Sequence, residues 1–109
     1  TGVTSDMRIA REEVFGPVLA VLKWTDETRM LEQVNAVEYG LTASVWTRSL
    51  AQAHRAAAAI QAGFVWVNQV GAHFTGASFG GYKQSGLGRE EGLDELYSYT
   101  QNKNVHIVL

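Results

Sequence analysis

The chain has 109 residues, of which 46% are hydrophobic and 18% are charged, and its formal net charge is −2. This composition excludes a disordered chain, a bilayer-spanning run of ~20 apolar residues, and a basic surface for nucleic acid or an anionic membrane. Because cysteine is absent, the chain has no disulfide, thiolate metal site or cysteine nucleophile of its own. We expect one globular domain, and cytoplasmic location by default because no targeting segment is visible.

The N-terminal part predicts an irregular approach segment followed by a strand. Residues 1–17 end at the only proline, Pro17, which fixes its own φ and biases Gly16 toward extended geometry. The apolar run from Val18 to Trp24 then predicts a strand that is buried on both faces, as parallel strands are.

A helix and a second strand are predicted next. Thr25 or Asp26 can cap the helix, and Gly40 can end it. Its apolar side chains recur at three- and four-residue spacing, at Met30, Leu31, Val34 and Val37. Leu41 to Thr47 is rich in β-branched and aromatic residues, which favours a strand.

The pattern of helix and strand then repeats once more. Ser49 is a suitable N-cap for a helix that continues to Ala62, with Gly63 at its end. Phe64 to Asn68 predicts a third strand. The order strand, helix, strand, helix, strand is typical of a βαβαβ unit with a parallel sheet, so we predict an α/β fold.

The last part of the chain changes character. Residues 69–92 are rich in glycine and aromatic residues, and a loop of this length in a compact domain is usually functional. A short helix is predicted from Glu90 to about Tyr97. Gln101 to Leu109 alternates weakly in polarity and predicts a strand that has no partner nearby in the sequence.

The segment from Arg11 to Pro17 sets an acid pair and an aromatic residue in a stiff loop. The Glu13 carboxylate could accept two hydrogen bonds from a diol, and the Phe15 ring could stack on a flat heterocycle. The alternative is an acidic surface loop whose Phe15 fills the core. Both interpretations stay open on these residues alone.

A second segment, from Phe79 to Glu90, reads Phe-Gly-Gly-Tyr-Lys-Gln-Ser-Gly-Leu-Gly-Arg-Glu. Its glycines do not have the spacing of a dinucleotide-binding or P-loop motif. The two segments resemble, in order, the Glu-x-Phe-Gly-Pro motif and the Pro-Phe-Gly-Gly-x-Lys-x-Ser-Gly-x-Gly-Arg-Glu block of the NAD(P)-dependent aldehyde dehydrogenase superfamily. The resemblance covers nearly the whole of this chain but only the C-terminal part of the family's chain.

The resemblance implies a cofactor, NAD or NADP, whose nicotinamide end contacts this chain. Glu13 would hold the nicotinamide ribose hydroxyls, and Phe15 would pack beside the nicotinamide. Leu41 matches a family position near the same ring, although core packing is its alternative role.

The resemblance also implies residues that contact an aldehyde substrate. Phe79 would form a wall of the substrate funnel, with ordinary core packing as the alternative. His73 and Phe74, in the variable loop 69–77, would line an aromatic funnel mouth suited to an uncharged aldehyde; a solvated imidazole is the alternative for His73. Ser78 departs from the proline that the family usually has there, which leaves the loop less rigid.

Glu90 would be a carboxylate near the catalytic centre, in a proton route through water. Its alternative is an acid at a helix N-terminus, stabilised by ~0.3–1 kcal/mol through the helix dipole. Lys83 and Arg89 are interpreted as residues that form ion pairs or bind carbonyls. The spacing of the three histidines does not suggest a metal site.

The resemblance divides the chain into residues 1–100, from the catalytic domain, and residues 101–109, an oligomerisation strand that reaches a neighbouring subunit. An unpaired strand edge invites pairing with another chain. Self-association, or contact with the remainder of an enzyme, is therefore expected through the sheet edge and residues 101–109.

The activity implied by the resemblance is oxidation of an aldehyde to a carboxylic acid. The family's nucleophilic cysteine and its dinucleotide-binding part lie outside this chain, so the 109 residues alone are expected to be inactive. The alternative is a non-catalytic interaction or oligomerising module derived from the same family.

Overall fold

The computed structural model describes residues 2–109; Thr1, the first residue of the predicted approach segment, lies outside this range. In chain order the elements are α1 (Arg8–Arg11), α2 (Glu27–Asn35), β1 (Tyr39–Gly40), β2 (Thr42–Val45), α3 (Leu50–Ala59), β3 (Phe64–Val67), β4 (Tyr82–Lys83) and α4 (Leu93–Ser98).

Helix α2 begins where its cap was predicted. The Asp26 carboxylate accepts a hydrogen bond from the backbone N–H of Arg29 at 2.8 Å, which satisfies one N–H of the first turn. The helix ends at Asn35 rather than at Gly40. The Asn35 side chain donates to the carbonyl of Ala59 and accepts from the N–H of Gln61. These hydrogen bonds join the last turn of α2 to the end of α3.

Helix α3 packs its small residues against the sheet. Ser49 caps it as predicted by accepting from the N–H of Gln52 at 3.3 Å, but the helix ends at Ala59 and not at Ala62. Ala53 and Ala56 are buried on the side of α3 that faces β2 and β3. Their short side chains let the helix lie close to the strands.

The parallel sheet is present with two strands. Thr42 lies opposite Phe64, and the register continues to Val45 opposite Val67, with α3 as the crossover. Both strands are slightly shorter than predicted.

The predicted strand from Val18 to Trp24 is wrong for this structure: no ladder forms there, and most of its large side chains are exposed. A strand that is apolar on both faces needs a neighbouring strand and a covering layer. Within residues 2–109 no strand lies beside this segment, so the predicted βαβαβ unit is reduced to β2, α3 and β3.

A short antiparallel pair was not predicted. Strand β1 pairs with β4, with Gly40 opposite Tyr82. The N–H of Gly40 donates to the Ser85 hydroxyl at 3.0 Å, and a Cβ on Gly40 would clash with the Gln61 carbonyl. Glycine is required at position 40 because the backbones of residues 40 and 61 approach closely there. The pairing with β4 and the Ser85 hydrogen bond hold the Gly-rich loop in place.

Two further predictions need correction. The approach segment contains the short helix α1, supported by an ion pair between Arg8 and Glu12 at 2.7 Å. Helix α4 starts at Leu93 rather than at Glu90. Residues 101–109 are all exposed, and no strand lies alongside them within the described residues, so a strand that pairs with a neighbouring subunit stays a prediction.

The buried core is small for the length of the chain. Among residues 2–109 it consists of four apolar residues around α3 and β3, namely Ala53, Ala56, Ala62 and Trp66. The radius of gyration is 18.7 Å, against about 13 Å for a compact domain of this size, and the longest axis measures 75 Å. No helix in the described residues has the length and apolarity to cross a membrane.

Candidate functional site

An aromatic cluster, defined as Phe64, Trp66, His73 and Phe79, joins strand β3 to the Gly-rich loop. The His73 ring centroid lies 4.8 Å from that of Phe79 and 6.0 Å from that of Trp66. Phe64 lies 4.9 Å from Trp66 and 5.7 Å from Phe79. These tilted arrangements are those that aromatic quadrupoles favour. The fold thus brings together two of the predicted substrate residues, His73 and Phe79.

The backbone of loop 69–77 is held by hydrogen bonds to Trp66 of the cluster and to Glu91. The indole N–H of Trp66 donates to the Ala72 carbonyl at 2.7 Å, and the N–H of Gly76 donates to the Glu91 carbonyl at 2.7 Å. Phe74, the third predicted substrate residue, is exposed and lies outside the cluster. Its ring is available at the surface of the loop.

His73 has a charged partner that the sequence did not indicate. Its Nδ1 lies 2.8 Å from Oε1 of Glu91, and both side chains are partly exposed. Sequence reasoning selected the neighbouring Glu90 and missed Glu91. Residues 73 and 91 are far apart in the sequence and no motif spacing links them, so only the folded loop could reveal the pair.

Glu90 is held by its backbone beside the cluster. Its N–H and carbonyl exchange hydrogen bonds of 2.7 and 2.8 Å with Phe79 in an isolated bridge, and its side chain is exposed. The alternative role, an acid at the helix N-terminus, is wrong because α4 begins at Leu93 and carries Asp94 and Glu95 in its first turn.

Glu13 and Phe15 stand on the surface of the approach segment. Phe15 is 91% exposed, with a positive φ of 53°, so it does not fill the core. A groove of about 450 Å³ runs along this loop and is lined by both residues. The carboxylate and the ring therefore border the same open space.

Leu41 lies between β1 and β2 and is exposed rather than buried in the core. It does not line the groove beside Phe15. A larger cavity, of about 1260 Å³, connects the two regions, because Glu13 and Tyr39 both line it. Of the predicted cofactor residues, Glu13 lines this larger cavity, whereas Phe15 and Leu41 do not.

Lys83 and Arg89 bind backbone carbonyls, in agreement with their predicted role. The Lys83 ammonium donates to the carbonyls of Asn35 and Val37 at 2.7 and 3.1 Å, at the end of α2. The Arg89 guanidinium donates to the Gly81 carbonyl at 2.9 Å. Both side chains hold the Gly-rich loop in place.

Two carboxyl groups near the approach segment have lowered pKa values. The hydrogen bonds from the Arg8 guanidinium, followed by its charge, lower the pKa of Glu12. A hydrogen bond from the Thr4 hydroxyl is the main cause that lowers the pKa of Asp6. Within residues 2–109 no group of three His, Asp or Glu side chains is placed to hold a metal ion.

Comparison with known proteins identifies the family. The model of the aldehyde dehydrogenase family matches residues 1–105. An aldehyde dehydrogenase, tropH, from Talaromyces stipitatus is 53% identical over 107 residues, which are 98% of this chain and 21% of that protein. A betaine aldehyde dehydrogenase from Mesorhizobium japonicum is 49% identical over 98% of this chain and 22% of its own length.

Solved structures agree with these relatives. The indole-3-acetaldehyde dehydrogenase AldA of P. syringae, in complex with NAD+, has a TM-score of 0.89 and 47% identity, covering 99% of this chain and 22% of that one. The NAD+ complex of aldehyde dehydrogenase from Bacillus cereus has a TM-score of 0.87 and 45% identity, covering 92% and 20%. This chain spans about a fifth of the length of these proteins, and it belongs to the aldehyde dehydrogenase family.

Proposed function

We propose that the chain serves as the nicotinamide-contacting and substrate-funnel portion of an NAD(P)-dependent aldehyde dehydrogenase that oxidises an aldehyde to a carboxylic acid. The observation that carries the proposal is the exposure of Glu13 and Phe15 on one loop, beside an open groove. Neither side chain is used to stabilise the chain itself. Relatives of known structure were solved with NAD+.

The residues present fit the nicotinamide end of the cofactor. The Glu13 carboxylate is an acceptor-only group that suits two ribose hydroxyls, and the exposed Phe15 ring suits a flat heterocycle. The cofactor, when bound, accepts a hydride. Glu13 binds the ribose and Phe15 orients the ring, and Leu41 would add an apolar contact from the segment that follows β1.

The aromatic cluster supplies the wall of the substrate funnel. Phe79 and His73 present a mainly apolar surface to the aldehyde, and Phe74 widens that surface at the mouth. Glu90, beside Phe79, would pass a proton through water. Lys83, through the Asn35 carbonyl at the end of α2, and Arg89, through the Gly81 carbonyl, hold the Gly-rich loop that carries Phe79.

The isolated chain is expected to be inactive. It contains no cysteine, so a thiolate nucleophile must come from outside these residues. The exposed apolar segment from Val18 to Trp24 and the tail 101–109 would then be covered by the remainder of the enzyme or by a neighbouring subunit. In this proposal residues 1–100 belong to a catalytic domain, and 101–109 form the oligomerisation strand.

A second candidate is a non-catalytic module that associates through these same surfaces. The elongated shape and the small core favour it, because a partner would bury apolar side chains such as Leu19 that the chain leaves exposed. Turnover distinguishes the two candidates.

A graft tests the proposal. The 107 matched residues of the T. stipitatus relative are replaced by those of this chain, and NADH formation is measured with an aldehyde. We expect turnover, and Glu13→Ala should raise the KM for NAD by about ten- to a hundredfold, since hydrogen bonds to a charged group contribute ~1.5–3 kcal/mol. The adjacent Glu12→Ala is the matched control, because that carboxylate is bound to Arg8.

A folded graft without turnover, or equal effects of the Glu13 and Glu12 substitutions, would contradict the proposal. The isolated 109-residue chain should form no NADH with aldehyde and NAD. Steady, aldehyde-dependent NADH formation by that chain would show that the missing nucleophile is not needed.

A further inference from the structure

The carboxylate of Glu91 has no role in the proposed function, although it is the charged partner of a substrate-funnel residue. Its Oε1 lies 2.8 Å from Nδ1 of His73. Its Oε2 is buried and has no hydrogen-bond partner within the described residues. Native structures contain few buried oxygens without a hydrogen-bond partner, and those that occur often belong to a ligand site or have a functional role.

The backbone of Glu91 is fixed on both sides. Its φ is 63°, a left-handed conformation that residues other than glycine seldom adopt. Its N–H donates to Oε2 of Glu95 at 3.0 Å, and its carbonyl accepts from the N–H of Gly76 at 2.7 Å. Strain of this kind persists where the surroundings over-determine it, and it is concentrated at functional sites. The carboxylate is therefore held in place toward His73.

This contact sets the tautomer of His73. An ionised carboxylate only accepts hydrogen bonds, so the proton of the neutral imidazole belongs on Nδ1. A neutral imidazole has one N–H, and its other nitrogen, Nε2, then becomes an acceptor. In the part of the chain that the structure describes, Nε2 of His73 forms no hydrogen bond. Glu91 thus decides what kind of group Nε2 can bind.

The surroundings of His73 indicate the shape of that group. Its ring lies 4.8 Å from Phe79 and 6.2 Å from Phe64, centroid to centroid, and its side chain is 41% exposed. A flat ring can pack against such an aromatic surface, where edge and stacked contacts are favourable. Because Nε2 of His73 is an acceptor at the margin of this surface, a ring that binds there should also carry an O–H or N–H donor.

We infer that Glu91 is a positioning residue that fixes His73 as a hydrogen-bond acceptor, and that the funnel selects aromatic aldehydes bearing a ring hydroxyl or N–H group. The inference rests on the proposed function in taking His73 and Phe79 as substrate contacts. It adds the residue that determines specificity and the chemical class of the substrate.

The tautomer is measured directly on the 109-residue chain. Imidazole ¹⁵N shifts are recorded at about pH 8.5, and they distinguish the two tautomers of a neutral imidazole. We expect His73 in the Nδ1–H form, unlike the exposed His54 and His106. Glu91→Leu should abolish this form, and Glu91→Gln, which keeps an acceptor oxygen, should retain part of it.

Asp94→Asn is the matched control, because it removes a negative charge from the first turn of α4, and within residues 2–109 Asp94 forms no hydrogen bond or ion pair with His73. It should leave the tautomer unchanged. The amide spectrum of β2 and β3 shows whether each variant is folded. His73 in the Nε2–H form in the unsubstituted chain overturns the inference, as does an unchanged tautomer in folded Glu91→Leu.

The substrate class is tested in the graft at pH 7.5 with 3-hydroxybenzaldehyde and 3-methylbenzaldehyde. We expect a preference of about three- to tenfold in kcat/KM for the hydroxyl, the range of one net hydrogen bond, expressed mainly in KM. Glu91→Leu should reduce this ratio to about one. An active graft that uses both aldehydes equally overturns the inference alone. A graft that turns over neither aldehyde overturns the proposed function and the substrate class with it, whereas the ¹⁵N result stands separately.

Discussion

The unit formed by β2, α3 and β3 differs sharply from the approach segment and apolar run between residues 8 and 24. Both stretches are rich in apolar residues, but Trp66 in the first is 7% exposed, whereas Phe15 and Leu19 in the second are 91% and 85% exposed. In the first, the face of α3 that carries Ala53 and Ala56 packs against β2 and β3, although Leu50 stays exposed. In the second, most large apolar side chains have no covering element within the described residues. An apolar pattern therefore predicts burial only where the chain itself supplies the covering partner.

The sharpest way to test this contrast compares two tryptophans. Trp66→Ala should destabilise the chain by about 3–5 kcal/mol, because it opens a cavity and removes the indole hydrogen bond to the Ala72 carbonyl. Trp24→Ala, at a side chain that is 49% exposed, should change stability by less than about 0.5 kcal/mol. Urea unfolding followed by far-UV circular dichroism measures both free energies. Comparable losses would break the contrast, since they would mean that the segment around Trp24 is packed in solution.

A second comparison tests how closely α3 lies on the sheet. Ala56 is 3% exposed, so Ala56→Leu should destabilise the chain by about 1–3 kcal/mol through overpacking. Ala58→Leu adds the same atoms on the exposed face of α3 and should be nearly neutral. Thermal unfolding of the two variants gives the difference. Equal Tm values would indicate that the helix does not pack on the strands as described.

Removal of the N-cap of α3 should destabilise the chain by less than these core substitutions. Ser49→Ala removes the hydroxyl that accepts from the N–H of Gln52 and should cost ~1 kcal/mol. Arg48→Ala, at the preceding exposed position, is the control and should cost a few tenths of a kcal/mol at most. The midpoints of urea unfolding provide the measurement, and a cost at Arg48 that matches the cost at Ser49 would argue against capping.

These contrasts also explain how far the sequence could predict the fold. The caps at Asp26 and Ser49 act within one turn, so local pattern was enough to find them. The parallel pairing of β2 and β3 followed from the order of the elements. The strand predicted for residues 18–24 failed because its apolar pattern gives no information about whether a neighbouring strand is present.

The residues of the candidate site also fall into those that local sequence could predict and those that depend on the fold. Glu13, Phe15 and Phe79 were predicted as site residues because two motifs resemble a family whose chemistry is known. Glu91 was not found, because its contact with His73 depends on the path of the Gly-rich loop and on a left-handed backbone at residue 91. No local pattern encodes that geometry, so only a structure could supply it.

The smallest expected effect is a loss of structure at low pH in the approach segment but not in the unit formed by β2, α3 and β3. In the folded chain the pKa of Glu12 is lowered from 4.5, chiefly by hydrogen bonds from Arg8. A depressed folded-state pKa means that the stabilisation is present above pH 4.5 and is lost as pH falls through the lower, folded value. As the pH falls below 4.5, helix α1 should therefore lose the hydrogen bond from the Glu12 N–H to the Arg8 carbonyl. The hydrogen bonds that pair β2 with β3 should remain.

Amide chemical shifts of Glu12 and Val65, followed from pH 6 downward, would record this difference. Because the Arg8–Glu12 pair is fully exposed, the change should be small, and added salt should weaken it further. Glu12→Gln should remove the transition at α1, whereas Glu13→Gln should leave it in place. If Val65 shifted together with Glu12, the approach segment would be coupled to the core, and the two regions would be one cooperative unit.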